Sequence, residues 1–328
     1  MYKVLFTGCT FNEVKILELL KQAGLAIIPA SSDLTESELK EALQDCDAVI
    51  VNGNEYYTSD VLSNCPKLKV IQFFGIGYEK CVEVETANKY RKIISNTPKV
   101  NSYSVAEFAL GLIFALNQKI LQYDQETRTG IWEEKTFFDL KNKTVGIVGM
   151  GNIGTHFANI VYNAFHTNIL FCDIVDKADQ EKAFNTKATS LNNLLKESDI
   201  VSLHVPLNND TQNMINEEKL SLMKKDAYLI NTARAEVVDA NALFLALKNN
   251  KIAGCAFDGF YKEPVDLNSN EAKLLTLPIG KFVLTPHTGY NATDAIGRME
   301  KMCIENLLHI FNNQECKGIV NKYFSNEL

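Results

Sequence analysis

Residues 143–173 read KTVGIVGMGNIGTHFANIVYNAFHTNILFCD. Val145, Ile147 and Val148 make a short apolar, β-branched run of the kind that fills a strand buried on both faces of a parallel sheet. Gly149, Gly151 and Gly154 follow at once, in the G-x-G-x-x-G spacing of a turn from such a strand into a helix. Gly149 permits the tight turn, Gly151 lets the backbone approach a pyrophosphate, and Gly154 lets helix and strand pack closely. The free N–H groups at the start of the helix then face the anion. A second apolar run, Ile169 to Cys172, ends in Asp173, about 20 residues beyond the last glycine, where this kind of fold places its ribose-binding acid. A carboxylate there accepts hydrogen bonds from both ribose hydroxyls and repels a 2′-phosphate, which favours NAD over NADP. A bare glycine triplet is often only a tight turn. Strand, glycines, helix and acid in this order point to a dinucleotide site.

The chain has 328 residues, more than one compact core of usual size, so two domains are expected. The apolar start, Val4 to Phe6, is too short for a signal peptide and runs directly into Thr7-Gly8. The longest apolar segment, Ala106 to Leu116, is interrupted by Glu107 and falls short of the roughly 18 residues a membrane span needs. A cytoplasmic protein is expected. Its eight cysteines are scattered without a C-x-x-C pair or a histidine at ligand spacing, so free thiols rather than disulfides are expected, and no metal. A net charge of −7 spread without basic blocks argues against nucleic acid and anionic membrane as partners.

The N-terminal third alternates strand and helix. Strands are expected at Lys3–Thr7, Ala26–Pro29, Ala48–Asn52 and Val70–Phe74, with helices at Phe11–Ala23 and Thr35–Leu43. This alternation predicts a small parallel sheet covered on both faces. Its first turn, Thr7-Gly8-Cys9-Thr10, lacks a glycine triplet, so this sheet is not expected to hold the dinucleotide. Gly75 and Gly77, after the fourth strand, form either an anion-binding nest or an ordinary turn. Pro98 closes the domain. From Ser102 to Gln125, apolar residues at spacings of three and four predict one long helix. The polar stretch Thr129–Lys143 surrounds the only tryptophan, Trp132, which marks either a subunit contact or packing on its own domain.

Beyond the glycine turn, strands are expected at Ile200–His204, Ala227–Asn231, Ala253–Asp258 and Phe282–Thr285. Functional residues belong at the carboxyl ends of such strands. Those ends carry His204, Arg234, Asp258 with Glu263, and His287. Asn291–Phe311 is helical and long enough to return to the first domain, which would make that domain discontinuous. His204 reads as structural rather than catalytic, and His156, His166 and His309 as surface or packing residues.

The motifs GIGYEKCVEVETA, SVAEFALGLIFAL, GMGNIG, LHVPLNNDT, NTAR, AFDGFYKEP and TPHTGY together resemble the D-isomer-specific 2-hydroxyacid dehydrogenases over nearly the whole chain. The resemblance implies an α/β protein of two doubly wound parallel-sheet domains. A Rossmann NAD-binding domain, residues 102–289, would be inserted into a discontinuous flavodoxin-like substrate domain, residues 1–101 and 290–328. It implies that Arg234 binds the substrate carboxylate and polarises its carbonyl, and that Glu263 and His287 form the acid–base pair. Gly75, Ile76 and Gly77 would hold the carboxylate through backbone N–H groups. Asn152, Ile153, Asp173, Pro206, Thr232 and Asp258, with Gly149, Gly151 and Gly154, would contact NAD. The assembly implied is a homodimer through the Ser102 helix and the Trp132 arm.

These residue types suit the reaction. Reduction of a 2-keto acid takes hydride at the carbonyl carbon and a proton at its oxygen, so an imidazolium is a suitable donor near neutral pH. Arginine recognises a planar carboxylate through two parallel hydrogen bonds. The chain departs from commoner family patterns at Gly259, where a β-branched residue is frequent, and at Glu79. Phe73 and Asn52 stand where phosphoglycerate dehydrogenases tend to carry arginine. The aromatic, neutral-to-acidic surroundings expected from Asn52, Asn54, Glu55, Tyr56, Tyr57, Phe73, Phe74, Tyr78 and Tyr290 favour a small unphosphorylated 2-keto acid. No further domain follows Leu328, so amino-acid feedback is not expected. The alternatives are a phosphoglycerate dehydrogenase and an NAD-sensing corepressor; the complete triad favours an enzyme.

Overall fold

The computed structural model describes residues 1–8, 19–32 and 34–321. Cys9 and most of the helix expected over Phe11–Ala23 lie outside the described residues. The chain divides into two compact units, Met1–Asn101 with Ala292–Leu328, and Ser102–Asn291.

The first unit holds strands β1 (Tyr2–Thr7), β2 (Leu25–Ala30), β3 (Ala48–Val51), β4 (Val70–Phe73) and β5 (Ile93–Ser95), all parallel, in the order β2-β1-β3-β4-β5. Every residue of β3 and β4 is buried, as unbroken apolar runs in a covered parallel sheet require. The sequence does not announce β5, because three residues between a Lys-Arg-Lys-bearing turn and Asn96-Thr97-Pro98 carry no readable period. The helices Ser59–Asn64 and Val84–Lys89 were not expected either, and six residues are too few for amphipathic spacing to show. The first is set by its N-cap, where the Thr58 hydroxyl accepts from Val61 N at 3.1 Å.

The helix Thr293–Phe311 joins this unit, burying Met299, Cys303, Ile304, Leu307 and Ile310. Asn306 Nδ2 donates to Asn96 O at 2.9 Å and to Gln72 Oε1 at 3.2 Å. Beyond the helix, Val320 N donates to Ile94 O at 2.9 Å, and Asn321 Oδ1 accepts from Ile94 N at 2.8 Å. The edge of β5 is thereby closed by residues more than 220 positions later.

The second unit is a six-stranded parallel sheet, β6 (Thr144–Val148), β7 (Asn168–Cys172), β8 (Ile200–Leu203), β9 (Tyr228–Asn231), β10 (Gly254–Asp258) and β11 (Phe282–Thr285), in the order β11-β10-β9-β8-β6-β7. The strand order reverses direction beside β6, so a crevice opens at the carboxyl ends of β6 and β8, where ligands of such sheets bind. The single long helix expected from Ser102 is two, Ser102–Asn117 and Ile120–Arg128, bent by 52°. Lys119 adopts φ +54°, and the buried Asn117 amide donates to Phe138 O at 2.7 Å, which ends the first helix against the arm that follows. Among the described residues no single helix is long and apolar enough to cross a membrane, and this bent pair buries Ala106, Ala109, Leu112, Ile113 and Leu116 in the unit's core. In the arm, Trp132 is 87% exposed and does not pack on its own unit.

Candidate active site

His287 lies two residues past β11 with φ +54°, a left-handed backbone that a side-chain-bearing residue adopts at a cost. Asp258, at the end of β10, holds that loop. Its Oδ1 accepts from Thr285 Oγ1 at 2.7 Å and Thr288 N at 2.8 Å, and its Oδ2 from Gly289 N at 2.7 Å. Asp258 was expected among the cofactor contacts; it is 6% exposed, and its carboxylate also positions the histidine loop. A buried acid stabilised by three donors in this way is a structural clamp.

Glu263 Oε2 stands 3.0 Å from His287 Nδ1, while Glu263 Oε1 accepts from Phe260 N at 2.8 Å. An ionised carboxylate only accepts, so Nδ1 carries a hydrogen and Nε2 is the nitrogen able to exchange a proton with a ligand. Both side chains are partly exposed, at 38% and 30%. The Tyr290 ring meets the imidazole edge-on at 6.4 Å between centroids.

Arg234 follows β9. The turn is pinned by Asn231, whose Nδ2 donates to Arg234 O at 2.8 Å and whose Oδ1 accepts from Ala233 N at 3.0 Å. Asn231 was not singled out from sequence; an asparagine at the start of a tight turn, folding back on its own backbone, is the signal that marks it. The half-buried guanidinium donates to Ala233 O at 2.8 Å and has no ion-pair partner among the described residues.

The glycine turn has the shape an anion needs. Gly149 has φ +91°, and a Cβ there would stand 2.7 Å from His204 O; one at Gly154 would stand 2.1 Å from Gly149 O. Gly151 is the N-cap of the helix Asn152–Phe165, with open space where its Cβ would be and no side chain capping the helix. The first-turn N–H groups, Asn152 and Ile153 included, are left to a ligand. Asp173 closes the turn, its Oδ2 accepting from Met150 N at 2.8 Å and its Oδ1 from Val175 N at 2.9 Å. Pro206 is exposed just past β8. Thr232 Oγ1 is buried with no hydrogen-bond partner among the described residues, an orphan that a ligand hydroxyl or amide would satisfy. These residues fit a dinucleotide. One neighbour was not foreseen: Lys177 Nζ lies 3.7 Å from Asp173 Oδ2.

His204 donates or accepts through Nε2 with Ser202 Oγ at 2.9 Å, packs on the Phe157 ring, and has its pKa lowered to about 3 by burial, so it is neutral at working pH and fits a structural role.

In the other unit, Gly75 follows β4 with φ +124°. Its N–H donates to Thr97 Oγ1 at 2.9 Å, so of the three loop residues expected to hold a carboxylate, Gly75 has its donor committed elsewhere. Ile76 and Gly77 N–H make no hydrogen bond among the described residues. Tyr57 and Phe73, expected to surround the loop, are 1% and 2% exposed and belong to the core of this unit.

Residues 110–289 match the family model described as D-isomer specific 2-hydroxyacid dehydrogenase, NAD binding domain. The chain is 37% identical over 318 residues to the glyoxylate reductase of Thermofilum pendens, covering 93% of this chain and 91% of that protein. It is 33% identical to the D-3-phosphoglycerate dehydrogenase of Methanocaldococcus jannaschii over 98% of this chain and 60% of that one. The D-lactate dehydrogenase of Aquifex aeolicus, solved with NAD and lactic acid, superposes with a TM-score of 0.83 at 28% identity, covering 97% of this chain and 99% of that one. With its glycine turn, its Glu263–His287 contact and this extent of similarity, the chain belongs to the D-isomer specific 2-hydroxyacid dehydrogenases, a family of NAD-dependent oxidoreductases.

Proposed function

We propose that the protein reduces a small, unphosphorylated 2-keto acid of the glyoxylate, hydroxypyruvate or pyruvate type to the D-2-hydroxy acid, with residues 102–289 holding NADH and residues 1–101 and 290–328 holding the substrate. The contact that carries this reading is Glu263 Oε2 to His287 Nδ1, 3.0 Å. NADH, when bound, supplies the hydride. The Arg234 guanidinium binds the substrate carboxylate and draws electron density from the adjoining carbonyl; in the substrate unit, Ile76 and Gly77 offer N–H groups that suit a carboxylate. His287 Nε2 releases its proton to the carbonyl oxygen, and Glu263 stabilises the imidazolium beforehand. Gly149, Gly151, Asn152, Ile153 and Gly154 take the pyrophosphate, Asp173 the ribose hydroxyls, and Pro206 and Thr232 the nicotinamide half.

The test is NADH oxidation with a panel of keto acids. The glyoxylate reductase relatives support a two- or three-carbon acid, and kcat/KM for glyoxylate or hydroxypyruvate should exceed that for 3-phosphohydroxypyruvate. The opposite order would favour phosphoglycerate dehydrogenase, the reading that the Methanocaldococcus relative supports. Tight NADH binding with no turnover of any keto acid would favour a sensing role instead.

Asp173 should give NADH at least about a tenfold advantage over NADPH in kcat/KM, roughly 1.4 kcal/mol for repelling the added phosphate. Lys177 offsets part of that repulsion, so Asp173→Ala should narrow the gap by leaving the lysine uncancelled, and adding Lys177→Ala should take back most of that gain. Kd values from NADPH fluorescence would check this; equal use of both cofactors by the unmodified protein would sink it.

The assembly proposed is a cytoplasmic homodimer. Support comes from the arm, where Trp132, Ile131 and Phe137 are 87%, 45% and 52% exposed, more apolar surface than an isolated chain usually presents in one stretch. Light scattering at micromolar concentration should report about twice the chain mass, and Trp132→Glu should shift it toward the monomer.

A further inference from the structure

A trans peptide unit carries its C=O and the following N–H on opposite edges, so whatever grips the carbonyl also aims the N–H. Two successive carbonyls of the loop after β4 are gripped by Asn96 and Thr97, the residues that follow β5. Gly75 O accepts from Thr97 N at 2.9 Å and from Thr97 Oγ1 at 3.1 Å, and Ile76 O accepts from Asn96 Nδ2 at 3.0 Å. The Gly75 N–H completes the clasp by donating to Thr97 Oγ1 at 2.9 Å. The gripping residues are held in turn: Thr97 is fully buried, Asn96 N donates to Gly318 O at 2.9 Å, and Asn96 O accepts from Asn306 Nδ2 at 2.9 Å. All of these residues belong to the first unit.

With the carbonyls of Gly75 and Ile76 turned toward Asn96 and Thr97, the N–H groups of Ile76 and Gly77 point away from them, and neither makes a hydrogen bond among the described residues. Two successive free N–H groups suit an anion. We propose that Asn96 and Thr97 are positioning residues for the substrate carboxylate, holding two carbonyls and thereby aiming the two N–H groups behind them. The proposal rests on the reading of Ile76 and Gly77 as groups that take the carboxylate.

The residue types fit this task. A hydroxyl both donates and accepts, so the one Thr97 side chain serves the C=O and the N–H of Gly75, which a valine of the same shape cannot do. The Asn96 amide supplies a donor that aspartate would lack. The arrangement is also crossed: Thr97 holds the peptide that carries the Ile76 N–H, and Asn96 holds the peptide that carries the Gly77 N–H.

The experiment compares Thr97→Val, Thr97→Ser and Asn96→Ala with the unmodified enzyme. It uses steady-state kinetics with glyoxylate, and backbone amide NMR of the NADH-bound protein titrated with oxamate, a carboxylate shaped like a keto acid that takes no hydride. Thr97→Val and Asn96→Ala should each raise the KM for glyoxylate and the Kd for oxamate about tenfold while lowering kcat less than about threefold, because the lost contact serves the bound substrate and the transition state alike. Thr97→Ser keeps the hydroxyl and should return both constants to within about twofold of the original. Oxamate should move the Ile76 and Gly77 amide protons downfield in the unmodified protein. Thr97→Val should diminish mainly the Ile76 shift and Asn96→Ala mainly the Gly77 shift, a crossed pattern that general loosening of the loop does not give. Asn96→Ala carries the test alone if Thr97→Val does not fold. Variants with the original oxamate Kd and amide shifts overturn the proposal and leave the reading of Ile76 and Gly77 intact. Equal loss of both shifts in either variant also overturns it, in favour of a loop merely stapled to β5. Amides that stay still in the unmodified protein with oxamate bound overturn that reading, and the proposal with it.

Discussion

Replacing His287 with glutamine should lower kcat for keto-acid reduction about a thousandfold while leaving NADH affinity within about twofold. General acid catalysis by a positioned side chain contributes on the order of 10² to 10⁴ in rate, and His287 is the group the loop is built to present. Three hydrogen bonds to Asp258 fix the loop, a fourth to Glu263 fixes the ring, and the backbone accepts φ +54° to do so. Glutamine keeps the volume and a hydrogen-bond donor but has no transferable proton at working pH, so the carbonyl oxygen would have to take its proton from water. Stopped-flow oxidation of NADH with saturating keto acid reads the step directly. A loss below about tenfold would mean that water or another side chain is the proton donor, and that the Glu263–His287 contact serves structure alone.

Arg234→Ala should cost about a thousandfold in kcat/KM for the keto acid, most of it as a higher KM. Two charge-assisted hydrogen bonds to a carboxylate in a partly buried site are worth about 4 kcal/mol together, which is close to 10³ at room temperature. The guanidinium is available for this, since its recorded bond is to Ala233 O and no carboxylate pairs with it among the described residues. Arg234→Lys should recover only part of the loss, because an ammonium cannot present two parallel donors. Equal kcat/KM in Arg234→Ala and the original enzyme would remove Arg234 from the substrate's surroundings altogether.

The parts of the site that the sequence displays are those built from local order. A strand, three glycines and an acid within 31 residues announce β6, the turn and Asp173, because each residue's task is set by its neighbours in the chain. Features that depend on distant partners stayed hidden. Gly75 looked like a donor until Thr97, 22 residues on, proved to hold its N–H. Asp258 reads from sequence as a cofactor contact alone, and the three donors that give it a second task come from residues about 30 positions later. Tyr57 and Phe73 read as lining because aromatics beside a glycine loop suggest a pocket, whereas Tyr57, in the loop after β3, and Phe73, at the end of the fully buried β4, both fill the core. Lys119 gave no sign of ending a helix, since lysine is a good helix former and the break is imposed by what the buried Asn117 binds.

The closure of β5 by residues from the far end of the chain bears on how this protein is made. Unit Ser102–Asn291 is one uninterrupted stretch, so everything its sheet requires has been translated before the helix Thr293–Phe311. The other unit begins first and finishes last: Ile94 N waits for Asn321, and Asn96 O for Asn306, through the synthesis of the entire inserted sheet. Its five strands must therefore spend most of translation with an unpaired edge at β5 and an uncovered apolar face where Met299, Cys303, Ile304 and Leu307 belong, the kind of surface on which nascent chains associate with one another or with chaperones.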